Sequence, residues 1–385
     1  MLLNVSLKLL LSIALLEVSA IAQETKSTDS QAAIARGVEI ILSMQEGEGK
    51  DQWPYEGVYR VRGAIPIGYQ VGGTAIAGNA LLLAPDYGDD PDRQAAIKRG
   101  ATFIVNSIDH KLMAHHFEAR YDVRGWGYAY GLNHLLLLKK LKLVPKGLND
   151  QVEAAIRFFI DGIETTSIPE RGGWNYARRA GFDKPGAPSP FMTGSTLQAL
   201  FEAVSQGYRV NDKVITDGLD SLEAARTPIG SFVYSGDQGN RSRAAVPGAT
   251  GRMAIAESTL YLAGRSSIDR VRSSVDAFIV HWKWLDARRA KKDTHKPPYG
   301  IAPYYFYYAH YYAAQAVELL PENERQEYRN HIKELLFSVQ LDDGSWNDRV
   351  FPRTANYSTA MAIQALMMAD APKPARLQGN SSDTP

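Results

Sequence analysis

The feature that most constrains this chain is a repeat of helical hairpins with a period near sixty residues. Each unit reads as an amphipathic helix, a turn carrying Gly with Trp or Tyr, and a second helix rich in Ala and Leu. Equivalent first-helix positions are Gly37, Gly100, Ala155, Gly218, Val275 and Ile332, spaced by 63, 55, 63, 57 and 57 residues. A period this long, kept six times, belongs to a repeat architecture in which each unit covers its neighbour's apolar face.

The six first helices are expected at 32–45, 95–108, 149–164, 213–226, 267–287 and 324–339. The six second helices are expected at 73–83, 130–141, 193–204, 251–263, 303–320 and 357–368. First helices alternate apolar and charged faces, as in Val152-Glu153-Ala154-Ala155-Ile156-Arg157-Phe158-Phe159, which suits an outer layer with one face in water. Second helices such as Ser195–Val204 are apolar almost all round, so both sides must be covered. Outer and inner helices alternating six times close into a single all-α (α/α)6 toroid. An open solenoid would need polar capping repeats, and neither end supplies one. Strand patterns are confined to short pieces such as 230–234.

The best copy of the turn is Lys333–Trp346, where a helix carrying Phe337 leads to Gln340, Asp342-Asp343-Gly344 and Trp346. The first unit echoes it with Gln45 and Trp53, and the second and third keep Gly125-Trp126 and Gly173-Trp174. This phrase resembles the QW repeat of the squalene/hopene cyclase and protein-prenyltransferase superfamily. The resemblance implies that Gln and Trp fasten an outer helix end to the following turn, a structural role. It also implies an isoprenoid or other lipid ligand. The chain departs from the pattern in three ways: it has room for one barrel, it lacks the D-x-D-D acid motif, and it has no cysteine for a prenyltransferase zinc site or a thioester. Single-barrel polysaccharide lyases and glycosidases remain an alternative, as does a non-enzymatic interaction scaffold.

Composition narrows the classes further. The formal net charge is +1, without a basic block, so nucleic acid is not an expected partner. The absence of cysteine excludes disulfides and thiol nucleophiles. Residues 1–22 read as a signal peptide, with Lys8, an apolar run Leu9–Leu16 and the small-residue site Ala20-Ile21-Ala22. The apolar run is too short to span a bilayer. The expectation is an exported protein, periplasmic or extracellular, with a toroid domain over 23–372 and a polar tail over 373–385. Asn240 and Asn380 match the short glycosylation acceptor pattern.

In a toroid, the first turns of the inner helices surround one mouth of the central space, where ligands are expected. Tyr304, Tyr305, Tyr308 and His310 lie in the densest aromatic run, Tyr304–Tyr312, which can face a cavity and offer π-faces to a cation or a sugar. His310 reads as a general base or as a hydrogen-bonded core residue. Glu257, in an otherwise apolar inner helix, reads as a general acid or as the partner of Arg252 or Arg178. Trp126, Tyr128, Trp174, Tyr176, Arg178 and Arg252 are the further candidate binding residues, for a small lipid or glycan. Thr193 and Ser195 read as helix caps. No cofactor is expected. His110, His115 and His116 lack metal-site spacing, so no metal is expected either.

Overall fold

A computed structural model describes residues 29–116, 123–175, 186–236 and 244–377. The signal segment 1–22, Tyr176, Arg178, Asn240 and Asn380 lie outside the described residues. Within them the chain forms twelve α-helices and no named strand, only four isolated bridges, among them Arg226 with Phe232.

Odd-numbered helices form the outer layer. They are α1 (Ser30–Ser43), α3 (Pro91–Asn106), α5 (Asn149–Thr165), α7 (Asp212–Ala224), α9 (Ile268–Asp286) and α11 (Glu322–Phe337). Even-numbered helices form the inner layer: α2 (Ile67–Leu83), α4 (Arg124–Lys140), α6 (Pro190–Ser205), α8 (Val246–Leu262), α10 (Tyr305–Val317) and α12 (Ala355–Leu366). Each inner helix packs on the next, and α12 packs on α2, which closes the ring.

The two layers differ as their sequences require. In α5 the buried residues Val152, Ala155, Ile156, Phe159, Ile160 and Ile163 make one stripe, and the charged residues face water. In α6 every residue from Pro190 to Ala203 is buried. Four outer helices are capped by side chains: Asp29 accepts from the Gln31 amide, Asp90 from Arg93, Asn211 from Lys213 and Ser267 from Arg270. None of the inner helices has a side-chain cap.

Three inner helices start five or six residues before their expected positions, α2 at Ile67, α4 at Arg124 and α8 at Val246. Their first turns carry glycines that read as a turn in isolation. Here they permit contact between helices. A Cβ on Gly68 would lie 2.3 Å from the Val123 carbonyl oxygen, and one on Gly72 would lie 2.4 Å from the Trp126 ring. Packing overrides the low helix propensity of glycine.

Three turns use the same fastening. The indole Nε1 of Trp53 donates to the Ile41 carbonyl at 2.6 Å, that of Trp174 to Ile163 at 2.8 Å and that of Trp346 to Leu336 at 2.9 Å. The backbone amides of the same tryptophans donate to the hydroxyls of Thr74, Thr193 and Thr359 at 2.9, 3.0 and 3.1 Å. Each tryptophan thus satisfies an orphan carbonyl at an outer helix end and ties it to the next inner helix. The same contacts explain a departure from the expected caps. Because α6 begins at Pro190, Thr193 lies inside it and receives Trp174, while Ser195 bonds back to the carbonyls of Phe191 and Met192.

Candidate functional site

Connections at the two ends of the toroid differ in length. Inner helices lead to outer ones through 84–90, 141–148, 206–211, 263–267 and 318–321. Outer helices lead to inner ones through 44–66, 107–123, 166–189, 225–245, 287–304 and 338–354. The described parts of the long connections lie at the mouth, at the N-termini of the inner helices.

An aromatic cleft opens there. Tyr69, Trp126, Phe191 and Tyr357 come from the first turns of four inner helices, and Tyr55, Tyr59, Tyr304 and Arg349 come from the long connections. The rings pack edge to face. Tyr55 and Tyr69 have centroids 5.3 Å apart, Tyr69 and Trp126 5.5 Å, and Phe191 and Tyr304 5.3 Å. Such contacts fix the rings relative to one another, and Tyr55, Tyr69, Trp126, Phe191 and Tyr357 keep only small areas open to the cleft.

The polar centre of the mouth is a chain through Asp348, Tyr55 and Arg349. The Tyr55 hydroxyl donates to Asp348 Oδ2 at 3.3 Å and accepts from Arg349 Nε at 3.4 Å. Ser358 Oγ donates to Asp348 Oδ1 at 3.1 Å. Arg349 Nη1 donates to the Asp293 carbonyl at 2.7 Å, and its Nη2 has no protein partner among the described residues. Burial raises the Asp348 carboxyl to about 6, against the opposing pull of Arg349. Burial also raises the Tyr55 hydroxyl, so it stays protonated. Burial works against the charge on Arg349, but Tyr55 and Asp348 outweigh it and its pKa rises. Beside this chain, His295 Nδ1 bonds the Gly300 carbonyl at 2.6 Å, and its Nε2 faces the Tyr304 hydroxyl at 3.3 Å.

Below the cleft the toroid is filled. The hydroxyls of Tyr130 and Tyr312, from inner helices on opposite sides of the ring, meet at 3.3 Å. Tyr308 stacks on Phe191 at 3.9 Å and donates to its carbonyl at 2.7 Å. The cleft above this plug and the space below it hold about 30 Å³ each.

Of the candidates from the sequence, Trp126 and Tyr304 line the cleft. Tyr305 and Tyr308 are fully buried beneath it. Arg252 is buried and pins the turn before α8, donating to the carbonyls of Phe232, Val233 and Gly248. Trp174 is one of the three fasteners. Tyr128 points into the outer layer, against His115, Phe158 and Phe159, and donates to the Met113 carbonyl.

The two expected catalytic groups lie elsewhere. Glu257 is 2% exposed and forms a bidentate pair with Arg226, both contacts 2.8 Å, while Ser266 Oγ donates to it at 2.5 Å. Its partner is Arg226 rather than Arg252, and Arg178 lies outside the described residues. His310 has both ring nitrogens engaged: Nδ1 donates to the Phe306 carbonyl at 2.7 Å, and Nε2 accepts from the Trp282 indole at 2.9 Å. Burial lowers it to about 4. Asp348 and Arg349 were missed, although they follow Trp346 by two and three residues. A charged pair at the entry to a second helix without charges was the available signal.

No protein-family model matches the sequence, and no curated protein matches it. Solved structures do match the fold. The α-1,6-mannanase GH76A of Salegentibacter sp. HEL1_6, an inactive variant in complex with α-1,6-mannotetrose, is 12% identical; the match covers 89% of this chain and 99% of that one, with a TM-score of 0.59. An unsaturated glucuronyl hydrolase from Streptococcus agalactiae is 11% identical over 88% and 92% of the two chains, with a TM-score of 0.56. A type II terpene cyclase from Scytonema is 13% identical over 88% and 98%, with a TM-score of 0.47. The mannanase and glucuronyl hydrolase matches establish the α/α toroid. At such identities they establish the fold alone.

Proposed function

We propose that the mouth of the toroid binds a glycan, and that an anionic group on a sugar is held by Arg349. The observation that carries this reading is the Nη2 of Arg349, without a protein partner among the described residues, within a cleft of tyrosines and a tryptophan. Aromatic faces stack on sugar rings, and a guanidinium suits a carboxylate or sulfate. A ligand there lies across the mouth, because the interior below is closed. Asp348 is reached from the cleft only through the Tyr55 hydroxyl. Proton transfer to or from a bound sugar would therefore run through Tyr55, with Asp348 behind it. Export, expected from residues 1–22, agrees with a glycan outside the cytoplasm.

A lipid reading keeps one observation in its favour: Asp348, a carboxyl held partly protonated, lies under aromatic rings that can stabilise a cation. The filled interior weighs against it, since the Tyr130–Tyr312 contact leaves no depth below the cleft for a prenyl chain.

The test is a fluorescence titration of Trp126 with neutral and uronate-containing oligosaccharides, and with a prenyl alcohol. Saturable quenching by the uronate ligands is expected, weakened about tenfold or more in Arg349→Gln. Equal binding of uronates by wild type and Arg349→Gln would remove the anionic subsite. Binding of the prenyl alcohol without any sugar would replace the glycan reading by the lipid one.

A further inference from the structure

The opposite end of the toroid carries a second polar site. Five inner helices each place one amide at the base: Asn79 on α2, Asn133 on α4, Gln198 on α6, Gln315 on α10 and Gln364 on α12. The sixth inner helix, α8, contributes Thr259, whose hydroxyl accepts from Gln198 Nε2 at 3.2 Å. Polar residues at one level of an otherwise apolar inner ring need partners, because a buried amide left unpaired is costly.

The protein satisfies these amides only in part. Asn79 Nδ2 donates to Asn133 Oδ1 at 2.8 Å, and Gln364 Nε2 donates to the carbonyls of Ile76 and Ala360. Gln315 is 6% exposed, and its Oε1 has no partner among the described residues. Asn133 Nδ2, Gln198 Oε1, Gln364 Oε1 and the Tyr311 hydroxyl also have no protein partner among the described residues.

These residues line a basin of about 80 Å³, well above the roughly 15 Å³ that one water needs. At its rim Lys140 and Glu202 pair at 3.0 Å, so the charges cancel locally. Residues 371–375 form one edge, where Lys140 Nζ donates to the Lys373 carbonyl at 3.4 Å.

We infer that this base basin binds a small neutral polyhydroxylated molecule, a monosaccharide or cyclic polyol, through the inner-helix amides and the Tyr311 hydroxyl. Each amide presents a donor and an acceptor, and so does each ligand hydroxyl, so the two sets match without net charge. A cation fits less well, because donors as well as acceptors face the basin and Lys140 stands at its rim. The Tyr130–Tyr312 contact separates the basin from the mouth, and the inference does not depend on the reading of the mouth.

The experiment is calorimetric titration of the full chain with glucose, mannose, myo-inositol and glycerol, supported by saturation-transfer NMR. Saturable binding of at least one cyclic probe is expected. Tyr311→Phe, which removes one oxygen and leaves the core volume, and Gln315→Leu should each weaken it fivefold or more. Arg349→Gln, at the mouth, should leave it unchanged. If none of the probes binds, the basin holds water and the inference fails. If binding survives both base variants but disappears in Arg349→Gln, the inference fails while the mouth reading stands.

Discussion

The Tyr55 hydroxyl donates to Asp348 across 293 residues of sequence, at 3.3 Å, where the first and last repeats meet. The contact joins ring closure to the candidate site. Arg353 spans the same seam, bonding Glu46 at 2.8 Å and Glu56 at 2.9 Å. Arg36 reaches from α1 to the Asp343 carbonyl at 3.0 Å, as Arg99 in the next outer helix reaches the Lys50 carbonyl at 2.8 Å. The seam thus repeats a contact used between the first and second units. Asp348, the mouth's one buried carboxyl among the described residues, meets Tyr55 only when the ring is shut.

Asp348 gives this seam a pH dependence of known sign. Its folded pKa, about 6, lies above the ordinary value of 3.8. A raised folded pKa adds stability that is complete below the unfolded value and is lost as pH rises through the folded one. The loss runs from about pH 4 to about pH 6 and amounts to roughly 3 kcal/mol. Asp348→Asn should remove that loss and raise stability at pH 7 by about 2 kcal/mol, allowing for a lost attraction to Arg349. Urea unfolding at pH 4, 5, 6 and 7 measures it. A wild-type and variant difference that does not change with pH would contradict the assignment.

Two buried histidines act with the opposite sign. Burial lowers His310 to about 4 and His134 to about 3. A depressed histidine supports the fold above its unfolded pKa of about 6.5, and that support is lost as pH falls. His310→Gln retains a donor for the Phe306 carbonyl and an acceptor for Trp282, so it should flatten the acid limb between pH 6.5 and 4 by roughly 3 kcal/mol. His134 leaves the remainder. Denaturant midpoints for the variant across that range test the slope; an unchanged acid limb would show that His310 is not buried in its neutral form.

Much of the architecture was legible because it is written in periodicity. Outer stripes at helical spacing and inner runs without charge fix which layer each helix joins, and the period counts the hairpins. The starts of α2 and α4 were not legible, because Gly68 and Gly72 look like turn residues until a neighbouring helix lies against them. The site was legible in its location and less so in its members. Trp126, in the first turn of α4, and Tyr304, immediately before α10, follow from their place at the start of an inner helix. Glu257 and His310 drew notice as polar residues in apolar helices, and that signal does not say which side of the helix faces the axis. Asp348 and Tyr55 are unremarkable apart and acquire a role only as a pair that ring closure brings together.

Glu257 should behave as a structural residue. Its pair with Arg226 is bidentate, and Glu257 is buried while Arg226 is 13% exposed. Removing one partner of a buried pair leaves an uncompensated charge and costs about 3–5 kcal/mol. Glu257→Gln should therefore lower stability by about 3 kcal/mol. The double variant Glu257→Met with Arg226→Met should recover most of it. Ligand binding at the mouth should keep its affinity in any variant that remains folded. Thermal melts and the Trp126 titration separate the two effects, and a loss of binding with unchanged stability would restore Glu257 as a functional group.

The three tryptophan fasteners should cost similar amounts when cut at the same atom. Thr74, Thr193 and Thr359 each accept a backbone amide from Trp53, Trp174 and Trp346, and all six residues are buried. Thr→Val keeps the shape and removes the acceptor, leaving a buried amide unpaired at about 1–3 kcal/mol. Thr193→Val and Thr359→Val should each fall in that range, and together they should add, since the sites lie in different units and share no partner. Trp174→Phe removes the indole donor to Ile163 and some packed area, and should cost more than Thr193→Val. Combined, Trp174→Phe and Thr193→Val should couple, because one residue, through its indole and its backbone amide, holds both ends of the fastening. Equilibrium unfolding of the single and double variants measures the additivity between units and the coupling within one; additive behaviour within the third unit would mean that the indole and amide bonds act independently.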